Sequence, residues 1–371
     1  MKITHFATEH FFAKYEFTTP YQLCNSDCET IPVEELLKMA GIPLEEMGKI
    51  SLGYTESLGN SDLREGIADC YANISPEEVI FLGSPIEGIY LAARAALNPG
   101  DEVVVLTPAY DALVNMFEHV AGADKVHKWR FKAGLDRWEL DFDELESLIT
   151  PQTRMVVANF PHNPTGFLPS REQLDQLVNT VNKHNLVLFY DEMYFGLVHE
   201  GTPSIPSVAE LCPRSVALSG LSKTYGLPGL RSGWLVVQDK ALRDEIINWK
   251  FYTSICPAAP TEFLTSTALK VREQLRQRSL TLVEANLKLA DDFFGRWPQM
   301  FTWRRPAAGS TALVEMKVPS VEAFAEKMAR EAGVLIQPAT TLGWDDHSFR
   351  MGLGRKGYAK ALEKFEEYLR K

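Results

Sequence analysis

The length, composition and charge of the chain exclude several classes of protein. Its 371 residues allow two or three domains, and its contents of 45% hydrophobic and 23% charged residues are those of an ordinary globular protein. The 38 basic and 49 acidic residues give a net charge of −11. The chain therefore lacks the basic excess that binds nucleic acid or anionic membranes, and any anion must be bound at a local site.

The sequence predicts a soluble, cytoplasmic protein without a metal site. Charged residues interrupt residues 1–17, where a signal peptide would be apolar, and no apolar stretch reaches the roughly 18 residues of a membrane helix. The cysteines are odd in number and dispersed, as in reduced proteins, and occur at Cys24, Cys28, Cys70, Cys212 and Cys256. Cys24 and Cys28 have no second Cys or His pair at zinc spacing, so we expect no metal there.

Short apolar stretches alternate with helical patterns between about residues 40 and 245. The stretches are rich in Val and flanked by turn residues, which indicates buried strands at 102–106, 154–160, 186–191, 215–219 and 233–237. Amphipathic segments lie between them, such as the one that ends at Asn98, Pro99 and Gly100. This alternation predicts an α/β domain with a mainly parallel sheet covered by helices on both faces.

The pattern changes after about residue 245. A long helical segment from about 262 to 297, with possible interruptions, precedes short strand patterns at 311–317, 334–339 and 348–354 and helical patterns at 321–333 and 360–371. These elements predict a second, α+β domain at 246–371, to which residues 1–39 are also assigned. Ligands of open α/β sheets bind beyond the carboxyl ends of the strands, so the loops at those ends are the place to look for chemistry.

One of these loops carries a lysine in an unusual setting. Ser222, Lys223 and Thr224 follow an apolar strand, and a loop rich in Gly and Pro leads to Arg231 before the next strand. Most lysines are solvated surface residues, but the tight loop at this position would desolvate the amine and lower its pKa. A lysine of this kind suits Schiff-base chemistry.

Two further strand ends carry polar side chains. Asn163, within the sequence HNPTG, places an amide at the mouth of one strand, although this sequence alone indicates only a loop. Asp191 ends the apolar stretch LVLFYD, and Tyr194 follows three residues later. A carboxylate at the end of a buried strand needs a cationic or hydrogen-bond donor partner.

The three segments, in this order, resemble the class I/II aminotransferases, which are pyridoxal-phosphate (PLP) enzymes of fold type I. The matching motifs are NPTG, D-x-x-Y and S-K-x-x-G-L-x-G-x-R-x-G, with separations of 28, 32 and 8 residues between Asn163, Asp191, Lys223 and Arg231. The resemblance covers most of the chain. It implies a large domain at 40–245 with a seven-stranded sheet, a smaller domain at 1–39 and 246–371 that closes over the site, the cofactor PLP, and a homodimer with shared active sites.

The resemblance assigns catalytic roles to four of these residues. Lys223 would form the Schiff base with PLP and then move the proton at the substrate Cα. Asp191 would pair with the pyridine nitrogen of the cofactor, and Tyr194 and Asn163 would donate hydrogen bonds to its O3′ oxygen. Asn163 is also expected to contact the substrate. The chemistry agrees with the residues, since a desolvated lysine can be neutral near neutral pH and act as nucleophile and base.

The resemblance also implies a binding site for the cofactor phosphate. Arg231 and Ser222 are expected to belong to it, together with the residues that precede and begin a helix at Gly83, Ser84, Pro85 and Ile86. Two positions depart from the family pattern: Pro85 has no backbone N–H to donate, and Gly220 stands where the family commonly has Ser or Thr. We therefore expect the phosphate to depend more on Ser84, Arg231 and the partner subunit.

Three further residues receive roles from the resemblance. Tyr54, in a Y-x4-G-x3-L-R segment, is expected to reach the phosphate of the neighbouring subunit. Tyr110 follows a strand end where the family stacks an aromatic ring on the cofactor. Arg350, in a predicted strand with Gly352 and Gly354, would bind the substrate α-carboxylate through two parallel hydrogen bonds, whereas Arg355 is predicted to be solvated.

The fold does not fix the reaction, because PLP supports transamination, decarboxylation, racemisation and elimination. We expect an aminotransferase that passes the amino group of an L-amino acid to a 2-oxo acid. The sequence segments NFPHNPTG and SKTYGLPGLRSGW also resemble those of capreomycidine synthase, a relative that performs elimination and cyclisation on a hydroxylated arginine. A lyase or cyclising enzyme of that kind, acting on an amino acid, is therefore the alternative.

Two other inferences concern the class of function and the substrate. A regulatory, non-enzymatic role is disfavoured because Lys223, Asp191 and Arg231 are all present, and because the first 40 residues are too short and too acidic for a helix-turn-helix domain. The segment 21–32 lies where the family places a lid over the substrate. Its polar residues Asn25, Ser26, Asp27 and Glu29 favour a cationic substrate such as arginine.

Overall fold

Helices and short strands alternate along most of the chain. The computed structural model describes residues 3–371. Its α-helices are α1 Ala7–Tyr15, α2 Val33–Met39, α3 Ser61–Ala68, α4 Pro85–Ala96, α5 Ala112–Ala121, α6 Phe142–Leu148, α7 Arg171–Lys183, α8 Lys240–Phe251, α9 Ala259–Lys270, α10 Arg272–Arg296, α11 Val321–Ala332 and α12 Tyr358–Leu369.

The strands are shorter than most of the helices. They are β1 Tyr21–Gln22, β2 Val79–Leu82, β3 Glu102–Thr107, β4 Val126–Arg130, β5 Lys132–Ala133, β6 Trp138–Glu139, β7 Thr153–Asn159, β8 Val187–Asp191, β9 Ser215–Gly220, β10 Gly233–Val237, β11 Phe301–Thr302, β12 Thr311–Met316, β13 Val334–Leu335, β14 Gln337–Pro338 and β15 Ser348–Gly352.

Seven of these strands form one sheet in the order β2-β10-β9-β8-β7-β3-β4. Neighbouring strands are parallel from β9 through to β4, whereas β10 runs antiparallel to both of its neighbours. The predicted α/β class and mainly parallel sheet are confirmed. The sequence patterns located β3, β7, β8, β9 and β10 but not β2 and β4, which are the edge strands. β4 is half-exposed and mixes apolar with charged residues, so it lacks a buried-strand pattern.

The two faces of this sheet carry separate apolar cores. Because successive strand residues point to opposite faces, Val104 and Leu106 pack in one core, whereas Val103 and Val105 pack in the other. Helix α9 contributes Leu264 and other apolar residues to the first core. The predicted long helix after residue 262 is in fact two helices, α9 and α10, separated at Val271.

A second sheet has the order β11-β12-β15-β14, and a third core surrounds it. Strand β1, near the start of the chain, pairs in parallel with β13, near its end. The grouping of residues 1–39 with 246–371 stays a prediction, and residues 1 and 2 lie outside the described residues. Within residues 3–371, no helix is long and apolar enough to cross a membrane.

The register of the large sheet gathers polar side chains at one edge. Asn159, the last residue of β7, lies beside Asp191, the last residue of β8, and Asp191 lies beside Leu218 in β9. β9 ends two residues later, and the chain then reaches Lys223. The carboxyl ends of three adjacent parallel strands thus bring these side chains into one region, as expected for an open α/β sheet.

Candidate active site

A cavity of about 460 Å³ lies at the carboxyl ends of the parallel strands. Most of the residues predicted for the site line it: Pro85, Ile86, Tyr110, Asn163, Asp191, Tyr194, Ser222, Lys223, Arg231 and Arg350. Gly83, Ser84 and Tyr54 are not among its lining residues. The remaining lining residues come mainly from α1, from the segment 25–27 and from Arg355.

Asp191 is a buried carboxylate that faces this cavity. One oxygen, Oδ1, accepts a hydrogen bond of 2.9 Å from the backbone N–H of Met193. Burial raises the pKa of Asp191 to about 6, and the Met193 N–H and the charge of Lys223 only partly oppose this. A cationic group beside the carboxylate would restore its ionised form, as a protonated ring nitrogen does.

Asn163 and Tyr194 are positioned by the strand ends around Asp191. The side chain of Asn159 accepts a hydrogen bond from Asn163 N–H at 2.8 Å and donates one to the Asp191 carbonyl at 2.8 Å, so it ties the loop after β7 to β8. The sequence analysis did not single out Asn159, although it directly precedes the loop that carries the motif. The hydroxyl of Tyr194 is buried without a hydrogen-bond partner in the described residues.

Lys223 places its amine in the cavity. Nζ donates a hydrogen bond of 2.7 Å to Ser26 Oγ, and the Ser26 carbonyl accepts one of 2.7 Å from Ser310 Oγ. Burial lowers the pKa of the Lys223 amine, while the negative charge of Asp27 partly opposes this. The amine is therefore easier to deprotonate than that of a solvated lysine. The role of Ser26 as its partner could not be read from the sequence, because 197 positions separate the two residues.

Arg231 lines the cavity and contacts Ser84, which lies outside the cavity lining. The guanidinium of Arg231 donates hydrogen bonds to Ser84 Oγ at 2.8 Å and to the Pro228 carbonyl at 3.0 Å. The Ser222 Oγ atom is buried and has no hydrogen-bond partner in the described residues. Gly83 lies outside the cavity lining, and its backbone N–H donates to Glu87 Oε2 at 3.0 Å.

The two departures from the family pattern, Gly220 and Pro85, lie in contact. A Cβ added to Gly220 would lie 2.7 Å from the Ser232 carbonyl oxygen and 3.2 Å from Cγ of Pro85. No side chain fits at position 220 without a shift of the backbone, so the hydroxyl expected from the family is sterically excluded. Pro85 is the first residue of α4, where a missing N–H removes no helical hydrogen bond.

Tyr110 lines the cavity and is bound to α1. Its hydroxyl donates a hydrogen bond of 2.8 Å to Glu9 Oε1, and its ring packs against Phe6 at a centroid distance of 5.4 Å. Burial, and then the charge of Glu9, raise the pKa of the Tyr110 hydroxyl, which keeps it a donor. Tyr54, by contrast, is 94% exposed.

Arg350 is one of the largest fully buried side chains of the protein. Its guanidinium donates to the Cys24 carbonyl at 2.9 Å and approaches Asn163 Oδ1 at 3.3 Å, while Nε has no partner in the described residues. The ring of Phe12 lies 5.7 Å from its Cζ atom. A buried guanidinium with free donor capacity at a cavity is suited to bind a carboxylate.

The wall formed by α1 and the segment 25–27 was only partly anticipated. Glu9 and Glu16 line the cavity together with Asp27. The prediction that Arg355 is solvated is wrong: its side chain lines the cavity and forms an ion pair of 2.7 Å with the buried carboxylate of Asp27. The two partners are 328 positions apart, so no local pattern could indicate the pair.

The residues at this site fit pyridoxal 5′-phosphate. Asp191 offers a carboxylate for the ring nitrogen, the orphaned Tyr194 hydroxyl and the Asn163 amide are available to the ring oxygen, and Lys223 presents an amine with a lowered pKa. Arg231 and the unpartnered Ser222 hydroxyl are available to the phosphate. Among residues 3–371, no group of three or more metal-binding side chains occurs.

Comparison with known families gives a match over most of the chain. The sequence profile of the family described as aminotransferase class I and II matches residues 22–365. An aspartate aminotransferase from Sulfolobus acidocaldarius is 33% identical over 51% of this chain, a region that spans about half the length (49%) of that protein. Capreomycidine synthase from Streptomyces vinaceus is 31% identical over 80% of this chain and 75% of its own length.

Solved structures show the same fold. A PLP-dependent aminotransferase from Streptococcus suis superposes with a TM-score of 0.93 at 27% identity and covers 100% of this chain and 98% of its own. The PLP-dependent cyclase OrfR superposes with a TM-score of 0.90 at 26% identity, with the same coverage. The predicted resemblance to aminotransferases, and the local resemblance to capreomycidine synthase, are confirmed by these matches.

Proposed function

The chain belongs to the class I and II aminotransferase family, and we propose that it transfers the α-amino group of an L-amino acid to a 2-oxo acid. The observation that carries this proposal is the cavity at the strand ends. It holds one lysine amine with a lowered pKa, one buried carboxylate with a raised pKa and one buried arginine with a free donor. A lysine base, a carboxylate for the ring nitrogen and a guanidinium for the substrate suit amino-group transfer.

The protein groups divide the work of binding and proton transfer. When bound, PLP supplies an electron sink that stabilises negative charge at the substrate Cα. Asp191 would hold a proton on the ring nitrogen, because its buried carboxylate is stable in ionised form only beside a positive charge. Lys223 would hold the cofactor covalently through Nζ and, once released, carry the proton at the substrate Cα.

Two arginines would orient the reacting molecules. Arg231 and Ser84, which contact each other at 2.8 Å, would bind the phosphate together with Ser222. Arg350 would bind the substrate α-carboxylate and thereby direct the Cα substituents towards Lys223. Phe12, beside Arg350, would exclude water from this ion pair and so strengthen it.

We further propose a homodimer in which Tyr54 reaches the neighbouring subunit's phosphate. Large apolar side chains are exposed on two segments of the chain. A hydrogen bond of 2.8 Å from Thr55 Oγ1 to the Pro257 carbonyl joins these segments. The exposed residues of these segments are Leu52, Tyr54, Phe251, Tyr252 and Ile255. A second copy of the chain would bury this apolar surface.

The free cysteines also support a cytoplasmic location.

A second candidate function is elimination or cyclisation on an amino acid. The matches to capreomycidine synthase and to a PLP-dependent cyclase favour it. The two reactions differ in their products. Incubation of the loaded enzyme with a panel of amino acids should give a 2-oxo acid and the amine form of the cofactor, in equal amounts, if amino-group transfer occurs. Release of ammonia or water with the cofactor's aldehyde form restored would instead establish the second candidate.

A further inference from the structure

The cavity wall formed by α1 and the segment 25–27 carries uncompensated negative charge. Three carboxylates line it. Asp27 is paired with Arg355 at 2.7 Å, and Glu9 accepts a hydrogen bond of 2.8 Å from Tyr110. The carboxylate of Glu16, at the end of α1, has neither a hydrogen-bond nor an ion-pair partner within residues 3–371 although it is half-buried.

No cation of the cavity forms an ion pair with Glu16 within the described residues. In the proposed function Lys223 is bonded to the cofactor, Arg231 binds its phosphate and Arg350 binds the substrate α-carboxylate. The only other arginine that lines the cavity within the described residues, Arg355, is already paired with Asp27. Two carboxylates on this wall, Glu9 and Glu16, therefore remain without a counter-charge, and of the two only Glu16 also lacks a hydrogen-bond donor in the described residues.

An unpartnered acceptor lies on the same wall. Asn25 is 6% exposed, and its Oδ1 atom is buried without a hydrogen-bond donor in the described residues. Asn25, Glu16 and Arg355 line both the main cavity and an adjoining depression of about 300 Å³. A buried acceptor of this kind leaves its desolvation uncompensated unless a ligand donates a hydrogen bond.

The backbone around Asn25 packs closely against two glycines, Gly352, the last residue of β15, and Gly354, which follows that strand. A Cβ at Gly352 would lie 1.8 Å from the Asn25 carbonyl oxygen, and one at Gly354 would lie 2.5 Å from that of Asp27. The Gly352 N–H also donates to the Leu23 carbonyl at 2.7 Å. Asn25, which lines the cavity, is thus held in place by close backbone contact.

We propose that Glu16 and Asn25 form a subsite for a positively charged group, a guanidinium or an ammonium, at the far end of the substrate side chain. The proposal rests on the proposed function, because that function assigns Arg350 to the α-carboxylate. Glu16 supplies the counter-charge and Asn25 Oδ1 a second acceptor for the N–H donors of the cation. The substrate class is therefore an L-amino acid with a basic side chain.

An acidic side chain fits this wall less well. The one cation available to it, Arg355, is engaged by the buried carboxylate of Asp27. A substrate carboxylate would have to displace Asp27 and leave a buried charge unpaired, which is costly. It would also lie near Glu16, whose charge repels it. Burial, and then the charges of Asp27 and Glu9, raise the pKa of the Glu16 carboxyl, and the charges of Arg355 and Lys223 only partly oppose this. Binding of a cation should therefore weaken as the pH falls towards that pKa.

The test compares amino acids of matched shape. Calorimetric titrations use the cofactor-loaded Lys223→Ala variant, which can bind substrate without turning it over. Arginine is compared with citrulline and lysine with norleucine, and glutamate serves as the acidic probe. The same titrations are made with Glu16→Gln added to this background. Glu34→Gln, which alters an exposed carboxylate outside the cavity, is the matched control.

We expect the cationic member of each pair to bind about tenfold more tightly than its neutral counterpart. Glu16→Gln should remove most of this preference and Glu34→Gln none of it. Equal affinities within each pair, glutamate as the tightest ligand, or a preference that survives in Glu16→Gln would each overturn the subsite. Product analysis with the wild-type enzyme tests amino-group transfer separately, since a cation preference without 2-oxo acid release would refute the transfer and leave the subsite intact.

Discussion

The two walls of the cavity are built in different ways. One consists of the carboxyl ends of β7, β8 and β9, where Asn163 and Lys223 follow β7 and β9 and Asp191 is the last residue of β8. The other consists of α1 and the segment 25–27, fixed in place by contacts with β15 and Arg355 near the end of the chain. The first wall carries the residues predicted for the chemistry, whereas the second carries the carboxylates of Glu9, Glu16 and Asp27.

The comparison suggests that chemistry and substrate choice are separable in this protein. Parallel strands buried on both faces hold their end residues rigidly, as a catalytic constellation requires. The second wall depends on a few long-range contacts, so single substitutions there should alter stability and substrate preference while leaving the catalytic groups in place.

The largest expected effect is on the first wall. Lys223→Ala should lower the rate of amino-group transfer at least about 1,000-fold, because it removes the base that carries the substrate proton. Single-turnover rates with and without the substitution provide the measurement. Lys240→Ala, which removes an exposed lysine, is the matched control and should leave the rate unchanged. A rate within tenfold of wild type in Lys223→Ala would refute the assignment.

The largest structural effect is expected where the second wall meets β15. Gly352→Ala should lower the free energy of unfolding by about 3 kcal/mol, because the added Cβ would lie 1.8 Å from the Asn25 carbonyl oxygen. Gly357→Ala, where nothing lies within 4 Å, is the matched control and should change stability by less than about 0.5 kcal/mol. Urea denaturation of the three proteins measures both, and equal stabilities would show that the segment is free to move.

A pH effect is expected from Asp191 in the cofactor-free protein. Burial raises its pKa from 3.8 to about 6, so the folded state binds the proton more tightly than the unfolded state does. Its contribution to stability should therefore fall by about 2 kcal/mol as the pH rises from about 4 to about 6. Asp191→Asn should remove this part of the pH dependence.

Urea denaturation across that pH range measures the difference between wild type and Asp191→Asn. Loading the wild-type protein with PLP should also reduce the loss, because the protonated ring nitrogen then pairs with the carboxylate. Identical pH profiles for the two cofactor-free proteins would mean that burial does not raise the pKa of Asp191.

The smallest expected effect concerns the ion pair of the second wall. Arg355→Gln should destabilise the protein by about 1 kcal/mol, because Asp27 is buried and would lose its counter-charge. Arg171→Gln removes a pair in which both partners are about half exposed, and it should cost less than about 0.5 kcal/mol. Chemical denaturation distinguishes the two, and equal costs would indicate that the Asp27 pair is solvated.

The difference between the walls also explains what the sequence could predict. The first wall is encoded in short motifs, because each functional residue follows its strand within a few positions: NPTG after β7, Asp191 at the end of β8 and Lys223 after β9. The buried strands could also be predicted, because each is a short continuous apolar stretch of the sequence. The sequence patterns missed β2, a strand of only four residues, and β4, an edge strand with a mixed pattern.

The second wall could not be predicted in this way. Arg355 looked like a surface residue because its partner, Asp27, lies 328 positions earlier in the chain. Glu16 and Glu9 belong to a helix whose sequence shows nothing beyond ordinary polar positions. Gly220 was recognised as an unusual residue at its position, but the close approach of the Ser232 carbonyl, just before β10, is visible only in the folded structure.

The most direct test of the central claim is to identify the residue that holds the cofactor. The PLP-loaded protein is treated with borohydride, which makes the bond between PLP and an amine permanent, and is then digested and analysed by mass spectrometry. We expect the added mass of the reduced cofactor on the peptide that contains Lys223 and on no other lysine peptide. Modification of a different lysine, or a protein that retains no cofactor after loading, would contradict this expectation.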